Sequence, residues 1–444
     1  MSGMAGLPTF KHGVHPPQHK EATAGRSIER MPFVDEYVLP LSQHIGAPSV
    51  PVVEVGAKVH RGQLIAEPRG YISTALHAPV TGTIRAIELR LHPNGKKMPA
   101  FVLATDPYDS QRVPEADPID PAGLSSDEMV QRVQMGGLVG LGGAAFPSHV
   151  KFSVPEGKQV RHVVLNGCEC EPYLTCDHRI MAEQPEAVIR GAKLIMAQVK
   201  AEKGWIGVES NKADAIEALK ACAPANIEVV ALEVKYPQGA EKMLIDAVFA
   251  ERVPKGGLPL DLGLLVNNVG TSVALVELFD RGVPLIERVV TVTGPGIVRP
   301  RNLIVPLGTP LRAVIEHCGG LTPNIRQVVL GGPMMGMAQK NLDVPIIKGC
   351  SGVLCLDDKA AMPVQREFPC IRCGRCLDAC PMFLNPARLA QLSRAERPEE
   401  LEEQQVFSCF ECASCSYVCP SAIPLVQWMR MGKAMVRKHK AAAS

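Results

Sequence analysis

The sequence predicts a multidomain chain of α/β + β class, on three observations. Short β runs broken by glycine and proline fill residues 31–105. From Asp127 to about Val283, β runs alternate with helical patterns. Past Lys359 the pattern is helical and rich in cysteine to the end. At 444 residues the chain has room for about three domains of ordinary size. Its 46% apolar and 21% charged residues are the balance of a folded globular protein.

The bulk numbers exclude more than they assign. A net charge of +2 gives no reason to expect nucleic acid as a partner. No apolar run reaches the roughly eighteen residues a membrane span needs, so none is expected. Met1 to Lys20 has no apolar core and is rich in His, Pro and Gly, unlike a secretory signal. Fifteen cysteines in such a chain point to metal or redox chemistry rather than to disulfides.

Each element follows in order. The run from Val50 to Val59 leads to Gly62–Ala66, and His77–Ile84 repeats the strand–Gly–strand pattern. This pairing looks like a barrel-sandwich domain of the lipoyl or biotinyl carrier type. A carrier presents a prosthetic lysine between the halves. Here that stretch is Arg69–Gly70–Tyr71–Ile72–Ser73, so the domain is expected to be scaffold. Asp106 to Ser126, rich in Pro, Asp and Ser, reads as a linker. Strands are expected at Val160–Asn166, Val229–Val234 and Leu262–Val266, and helices at Gln184–Val199, Lys212–Cys222 and Glu241–Phe249. That alternation predicts a three-layer domain with a mainly parallel sheet. Residues 288–350 predict a small α+β module with one helix near Pro310–His317. The expected divisions are an N-terminal loop at 1–30, then domains at 31–110, 120–285, 286–350 and 360–444.

The strongest signal lies near the C-terminus. Cys370-x2-Cys373-x2-Cys376-x3-Cys380-Pro381 is repeated as Cys409-x2-Cys412-x2-Cys415-x3-Cys419-Pro420. This is the bacterial ferredoxin run, in which the fourth cysteine ligates the other cluster. Three thiolates two residues apart wrap one corner of a cube, and the fourth lies beyond that loop's reach. The spacing therefore predicts two [4Fe–4S] clusters, one on Cys370, Cys373, Cys376 and Cys419, the other on Cys409, Cys412, Cys415 and Cys380. A pair of all-cysteine zinc sites is the alternative, but zinc ribbons usually pair two C-x2-C knuckles. Between the runs, Leu389, Leu392 and Leu401 stand among Ala, Arg, Glu and Gln, which predicts two helices and an all-α module.

Two further segments carry chemistry. Gly136 to Pro147 contains G-x-G-x-x-A at Gly140, Gly142 and Ala145, but it follows a helical stretch at Asp127–Met135, the wrong context for a Rossmann site. It reads as a loop whose backbone comes close to a flat or phosphorylated ligand, with Lys151 available to a phosphate, or as a plain Gly-rich connection. Then Asn166–Gly–Cys168–Glu169–Cys170–Glu171–Pro172 sets two carboxylates at the carboxyl edge of the sheet, where α/β proteins bind ligands. Cys168, Cys170 and Cys176 leave a third metal site open. Asn267–Asn268–Val–Gly–Thr271 again follows a strand. Cys222, Cys318, Cys350 and Cys355 read as buried small apolar residues. On the C-terminal helix, Lys433, Arg437, Lys438 and Lys440 beside Trp428, Met429, Met431 and Met435 suit an anionic membrane, an acidic partner or a frayed basic tail.

Taken in order, Gly140–Pro147, Asn166–Pro172, Tyr236–Pro–Gln–Gly239–Ala–Glu241 and Asn267–Thr271 resemble the FMN- and NADH-binding signatures of the flavoprotein subunit of respiratory complex I. With the opening Phe10–Lys–His–Gly–Val–His–Pro–Pro17, the carrier-like domain and the two cysteine runs, nearly the whole chain resembles the C-subunit family of the Rnf electron-transport complexes. The resemblance implies an FMN pocket from Gly140, Gly142, Gly143, Lys151, Asn166, Glu169, Tyr236, Gly239, Asn267, Asn268 and Thr271. It implies Glu171 and Glu241 near NAD(H), Glu169 and Glu171 as catalytic, and a β-grasp module at 286–350. Cys168 and Cys170 depart from the complex I pattern, which has Asp and Ser there, as does Ala240 beside Glu241. The family couples electron exchange between ferredoxin and NAD to ion movement. The expected partners are therefore membrane subunits, the complex's ferredoxin-like subunit, NADH, and soluble ferredoxin or flavodoxin through the complex. The expected location is the cytoplasmic face of a bacterial inner membrane. A soluble flavin–iron–sulfur reductase of the cobalamin-reductase kind and a non-catalytic electron relay are the other readings.

Overall fold

The computed structural model describes residues 6–114, 118–119, 121–361 and 366–443, so part of the expected linker lies outside it. Glu36–Pro40, Lys97–Thr105, Gly82–Leu91 and Lys58–Val59 form an antiparallel four-stranded sheet. It faces a three-stranded sheet of Val50–Pro51, Leu64–Glu67 and Leu76–His77. Tyr37, Leu39, Ile65, Leu76, Ile84, Phe101 and Leu103 fill the space between them. The Arg69–Ser73 stretch is exposed from Arg69 to Ile72 and tethered through its backbone. Gln134 Nε2 donates to Gly70 O and Ser73 O at 3.1 Å, and His149 Nε2 lies 2.7 Å from Tyr71 O.

The next domain is a parallel sheet in the order Ile227–Leu232, Lys203–Glu209, His162–Asn166, Leu264–Asn268. Side chains alternate across its two faces, as strand geometry requires. Val163, Leu165, Ile206 and Val208 pack with helices Pro185–Val199, Ala213–Cys222 and Val269–Arg281. Val164, Leu264 and Val266 pack on the opposite side with helix Glu241–Phe249. The three layers are as expected, with strand limits shifted by about two residues. Strand Lys203–Glu209 and helices Cys176–Glu183 and Val269–Arg281 are additions. The domain's entry helix, Ser126–Met135, starts at a capping box made by Ser125 and Glu128.

The third module is a mixed six-stranded sheet, in the order Ile28–Arg30, Arg301–Pro306, Glu287–Thr293, Gly352–Asp357, Ile325–Leu330, Met337–Gln339, with helix Leu311–His317. It extends past the expected limits of 286–350 at both ends. Gly352–Asp357 is needed at its centre, and the N-terminal strand Ile28–Arg30 adds to one edge in parallel with Arg301–Pro306. Cys318, Cys350 and Cys355 are buried in its core, whereas Cys222 is only half-buried on its helix. Lys348 locks three modules together. Its fully buried ammonium donates to Ala75 O at 2.9 Å, Gly137 O at 2.6 Å and Thr74 Oγ1 at 3.3 Å.

Residues 366–443 are helical, with Pro386–Arg394 and Pro398–Glu403 between the cysteine runs and Leu425–Ala443 after them. Met429 and Val436 of the last helix join Leu389, Leu392 and Leu401 in one core. The helix is thus packed along one side rather than frayed, while Met431, Arg437 and Lys438 stay exposed. Its apolar stripe faces inward, Lys440 pairs with Glu402, and His439 lies 3.1 Å from Glu399. Among the described residues no helix is long and apolar enough to cross a membrane.

Candidate functional site

The site begins where strands His162–Asn166 and Leu264–Asn268 end side by side, which pairs Asn166 with Asn268 at the sheet's carboxyl edge. Beyond Asn166 the chain turns through Glu169, held at φ +50°, a left-handed conformation. The Glu169 carboxylate accepts the backbone N–H groups of Asp177 at 2.8 Å and His178 at 3.2 Å. It therefore caps helix Cys176–Glu183 electrostatically. Lys20, from the N-terminal loop, is buried against the same turn. Its ammonium donates to Glu169 O at 2.9 Å, Glu171 O at 2.9 Å and Leu174 O at 2.5 Å. Nothing local to residues 166–172 predicts this support.

Glu171 points the other way, to the third module. Its carboxylate accepts the N–H groups of Met334 at 3.0 Å and Met335 at 2.8 Å. A Cβ at Gly332 would stand 2.1 Å from Glu171 Oε2, so only glycine admits this contact. Burial pushes Glu171 up to about 7, with the two amides pulling the other way. Asp177, which sequence reasoning missed, behaves alike. Burial and then the Glu169 charge raise it to about 7, against a 2.8 Å hydrogen bond from Asn268 Nδ2.

The glycine loop packs on this edge. Gly140 N–H donates to Phe146 O at 2.8 Å, and Leu141 N–H donates to Thr271 Oγ1 at 2.9 Å. Gly142 lies against Asn268, where an added Cβ would be 3.3 Å from Nδ2, while Gly143, at φ +133°, has open space beside it. Lys151 instead donates to Glu241 Oε1 at 3.0 Å and Val266 O at 2.9 Å. Asn166 Nδ2 donates to Gly239 O at 2.7 Å.

These elements surround a cleft of about 770 Å³. Of the expected residues, Gly142, Gly143, Asn166, Glu169, Glu171, Tyr236, Gly239, Glu241 and Asn268 line it. Gly140, Lys151, Asn267 and Thr271 stand behind it: Gly140 and Thr271 shape the loop, and Asn267 is buried with its Nδ2 lacking a partner. Two further walls were not expected. One is the Gly331–Met337 loop of the third module, whose glycine-rich Gly–Gly–Pro–Met–Met–Gly run was the available signal. The other is Phe407, Ser408 and Phe410 of the cysteine-rich module. Cys168, Cys170 and Cys176 do not converge. Cys168 Sγ faces Gly207 O, Cys170 Sγ accepts Gly239 N–H at 3.2 Å, and Cys176 lies at the cleft, each thiol raised by burial.

Cys380 of the first run stands beside three cysteines of the second. Cys380, Cys409, Cys412 and Cys415 line one cavity with Leu384, Leu389 and Met429. Burial raises the thiols of Cys409, Cys412 and Cys415, and Cys380 of the other run raises each further. Likewise burial raises Cys376, with Cys419 and Cys370 adding to it. The first set lies against the cleft. Tyr236 Oη donates to Cys412 O at 2.8 Å, and Cys170, Tyr236 and Ala379 pack with Cys412. Lys433, nearly buried, donates to Cys409 O at 2.6 Å and Glu411 Oε1 at 2.7 Å.

Comparison with known proteins gives four family matches in chain order. They are an RnfC barrel sandwich hybrid domain over 8–108, a Nuo51 FMN-binding domain over 133–277, an SLBB domain over 289–338 and a 4Fe-4S dicluster domain over 368–423. The C subunit of a proton-translocating ferredoxin:NAD(+) oxidoreductase complex from Clostridium ljungdahlii is 44% identical over 89% of this chain and 86% of its own. Its counterpart in a Na(+)-translocating ferredoxin:NAD(+) oxidoreductase complex from Acetobacterium woodii is 44% identical over 89% of each chain. The C subunit of an ion-translocating oxidoreductase complex from Rhodobacter capsulatus is 38% identical over 97% of this chain and 85% of its own. Among solved structures, an NAD+-reducing [NiFe]-hydrogenase in the H2-reduced state shares the fold, with a TM-score of 0.51 at 19% identity, over 71% of this chain and 63% of that one.

Proposed function

Because the chain belongs to the C-subunit family of ion-translocating ferredoxin:NAD oxidoreductase complexes, we propose that it is the NADH-side arm of such a complex, peripheral on the cytoplasmic face of the membrane and passing electrons to its membrane subunits. The chain is a flavin and iron–sulfur oxidoreductase subunit. Bound FMN and two [4Fe–4S] clusters would supply the chemistry, joining a two-electron hydride exchange to one-electron steps.

The residues fit both groups. A buried amide donor normally has a partner, and the lone Asn267 Nδ2 lies at the sheet edge behind the glycine loop. The open side of Gly143 lets the backbone approach a flat ring or phosphate. In this reading Gly142, Gly143, Asn166, Tyr236, Gly239 and Asn268 hold FMN, while Gly140, Asn267 and Thr271 shape its floor. Lys151 acts through Glu241, whose charge it balances beside the nicotinamide nucleotide. Glu169 and Glu171 divide between them the roles expected of both. Glu169 is committed to the helix amides, which makes it a positioning residue. Glu171 gains or loses a proton near neutral pH on the cleft wall, so it adjusts the charge that NAD(H) meets.

One observation carries the reading: the cysteine-rich module walls the same cleft, and Tyr236 joins that cleft to Cys412 by a hydrogen bond. The test is anaerobic purification of the chain, with iron, sulfide and flavin analysis and an NADH titration followed by EPR. Roughly eight irons and one FMN per chain, with cluster signals growing on NADH, are expected. Eight irons without flavin, and no response to NADH, would favour the electron-relay reading instead.

A further inference from the structure

We propose that Lys20 and Lys212 are positioning residues of the redox reaction, which hold the Cys168–Leu174 turn so that bound FMN is favoured in its reduced form. Both lie outside the segments that resemble flavin signatures. The inference rests on the reading of this cleft as the flavin site. It adds which residues of the chain bias the flavin's potential, and how.

Four carbonyls of the turn point to two buried ammonium groups. Lys20 Nζ donates to Glu169 O, Glu171 O and Leu174 O, and Lys212 Nζ donates to Cys168 O at 2.6 Å. Lys212 is fully buried and Lys20 nearly so. Each is also anchored away from the turn. Lys212 donates to Glu209 Oε2 and Asn211 Oδ1, both at 3.0 Å. Lys20 belongs to the N-terminal strap, whose Gln18 O accepts Tyr173 N–H at 2.8 Å. Burial and the Lys212 charge lower Lys20. Burial also opposes Lys212, but Glu209 and Glu169 carry it above the ordinary lysine range.

With the carbonyls so held, the N–H groups of the turn are left over. Among the described residues, those of Glu169, Cys170 and Glu171 have no acceptor, and all three residues line the cleft. Backbone donors inside a fold normally have a partner. Successive free N–H groups at a left-handed residue form a concavity for negative charge, and Glu169 has φ +50°. Neither carboxylate of the turn competes for them. That of Glu169 accepts the N–H groups of Asp177 and His178, and that of Glu171 accepts those of Met334 and Met335. What remains is a wall of fixed amide dipoles backed by two lysines. A flavin that takes up a hydride gains two electrons and one proton, hence one negative charge. Donors fixed in advance where charge develops favour the charged form.

The test uses the full chain with both clusters, stripped of flavin, and FMN itself as the probe. Affinities for oxidised and for dithionite-reduced FMN are measured by anaerobic equilibrium dialysis, with iron analysis and EPR checking the clusters. Lys20→Met and Lys212→Met each remove one ammonium, and Lys20→Arg keeps charge and donors. Each methionine variant is expected to weaken reduced FMN about tenfold more than oxidised FMN, a drop of about 30 mV for a two-electron couple. Lys20→Arg is expected to restore the preference, with cluster signals unchanged. Equal weakening of both redox forms, or none, would overturn the proposal, because the lysines would then only hold the fold together. So would the same loss in Lys20→Arg as in Lys20→Met, or release of FMN from all three variants with iron intact. A wild-type chain that binds neither form of FMN strikes the reading of the cleft itself, and this proposal with it.

Discussion

The two cysteine runs have the same spacing and opposite surroundings. The thiols of Cys380, Cys409, Cys412 and Cys415 line an apolar cavity that adjoins the cleft, with Lys433 and Tyr236 bonded to the carbonyls of Cys409 and Cys412. The other set leaves Cys370 and Cys373 exposed at a surface. Ligand identity cannot create this difference, because both sets are four cysteines. It comes from what packs outside the loops: Cys170 and Tyr236 of the flavin-fold domain pack with Cys412, whereas Cys376 and Cys419 pack on the helical module's own core. Burial and nearby charge set the potential of a cluster, so a duplicated motif gains an inner and an outer end from its setting alone.

The largest effect should come from crossing the ligands. Cys380→Ser lies in the first run but should cost the cluster of the second, removing about half the iron and leaving the outer EPR signal. Cys419→Ser should do the reverse. Next, Gly332→Ala drives a methyl against Glu171 Oε2 and displaces the Met334–Met335 contact. NADH binding should weaken about tenfold by equilibrium titration, with iron content unchanged. Lys433→Met removes a positive charge beside Cys409. The inner midpoint potential should drop by some tens of millivolts in an EPR redox titration, with the outer one unmoved.

Smaller effects concern the cleft wall. The folded chain keeps a proton on Glu171 up to about pH 7, whereas the unfolded carboxyl releases it near its ordinary value. Between those limits the folded state binds more protons, so this group makes stability fall as pH rises, and Asp177 acts in the same sense. Glu171→Gln should remove about 1–2 kcal/mol of that slope in melts between roughly pH 5 and 8. Smallest, Tyr236→Phe leaves Cys412 O without its donor and should cost about 1 kcal/mol in denaturant unfolding.

Much of this was legible because it rests on short-range rules. Cysteine spacing is fixed by the cube it must wrap, and helix Glu241–Phe249 was found to the residue from its periodicity. What escaped was set by distant packing. Strand Lys203–Glu209 is not among the expected strands; it carries Gly204 and Gly207, and a Cβ at Gly207 would meet Leu244 Cδ1 at 2.6 Å, so glycine is there for the neighbouring helix. The Asn267–Asn268 pair is expected only at a strand end, but Asn268 Oδ1 accepts Thr271 N–H and starts a helix that the sequence pattern does not announce. Lys20 lies about 150 residues from the turn it supports, beyond any local pattern. The inward stripe of helix Leu425–Ala443 is a matter of which face finds a core, which charge counting does not reveal.

The central claim is that electrons meet the inner set first. It is tested most directly by titrating NADH into two cluster-deficient variants under EPR, Cys373→Ser lacking the outer cluster and Cys412→Ser lacking the inner. The account predicts that the inner cluster of Cys373→Ser is still reduced by NADH, while the outer cluster of Cys412→Ser stays oxidised until dithionite is added. Prompt reduction of the outer cluster by NADH in Cys412→Ser would contradict it.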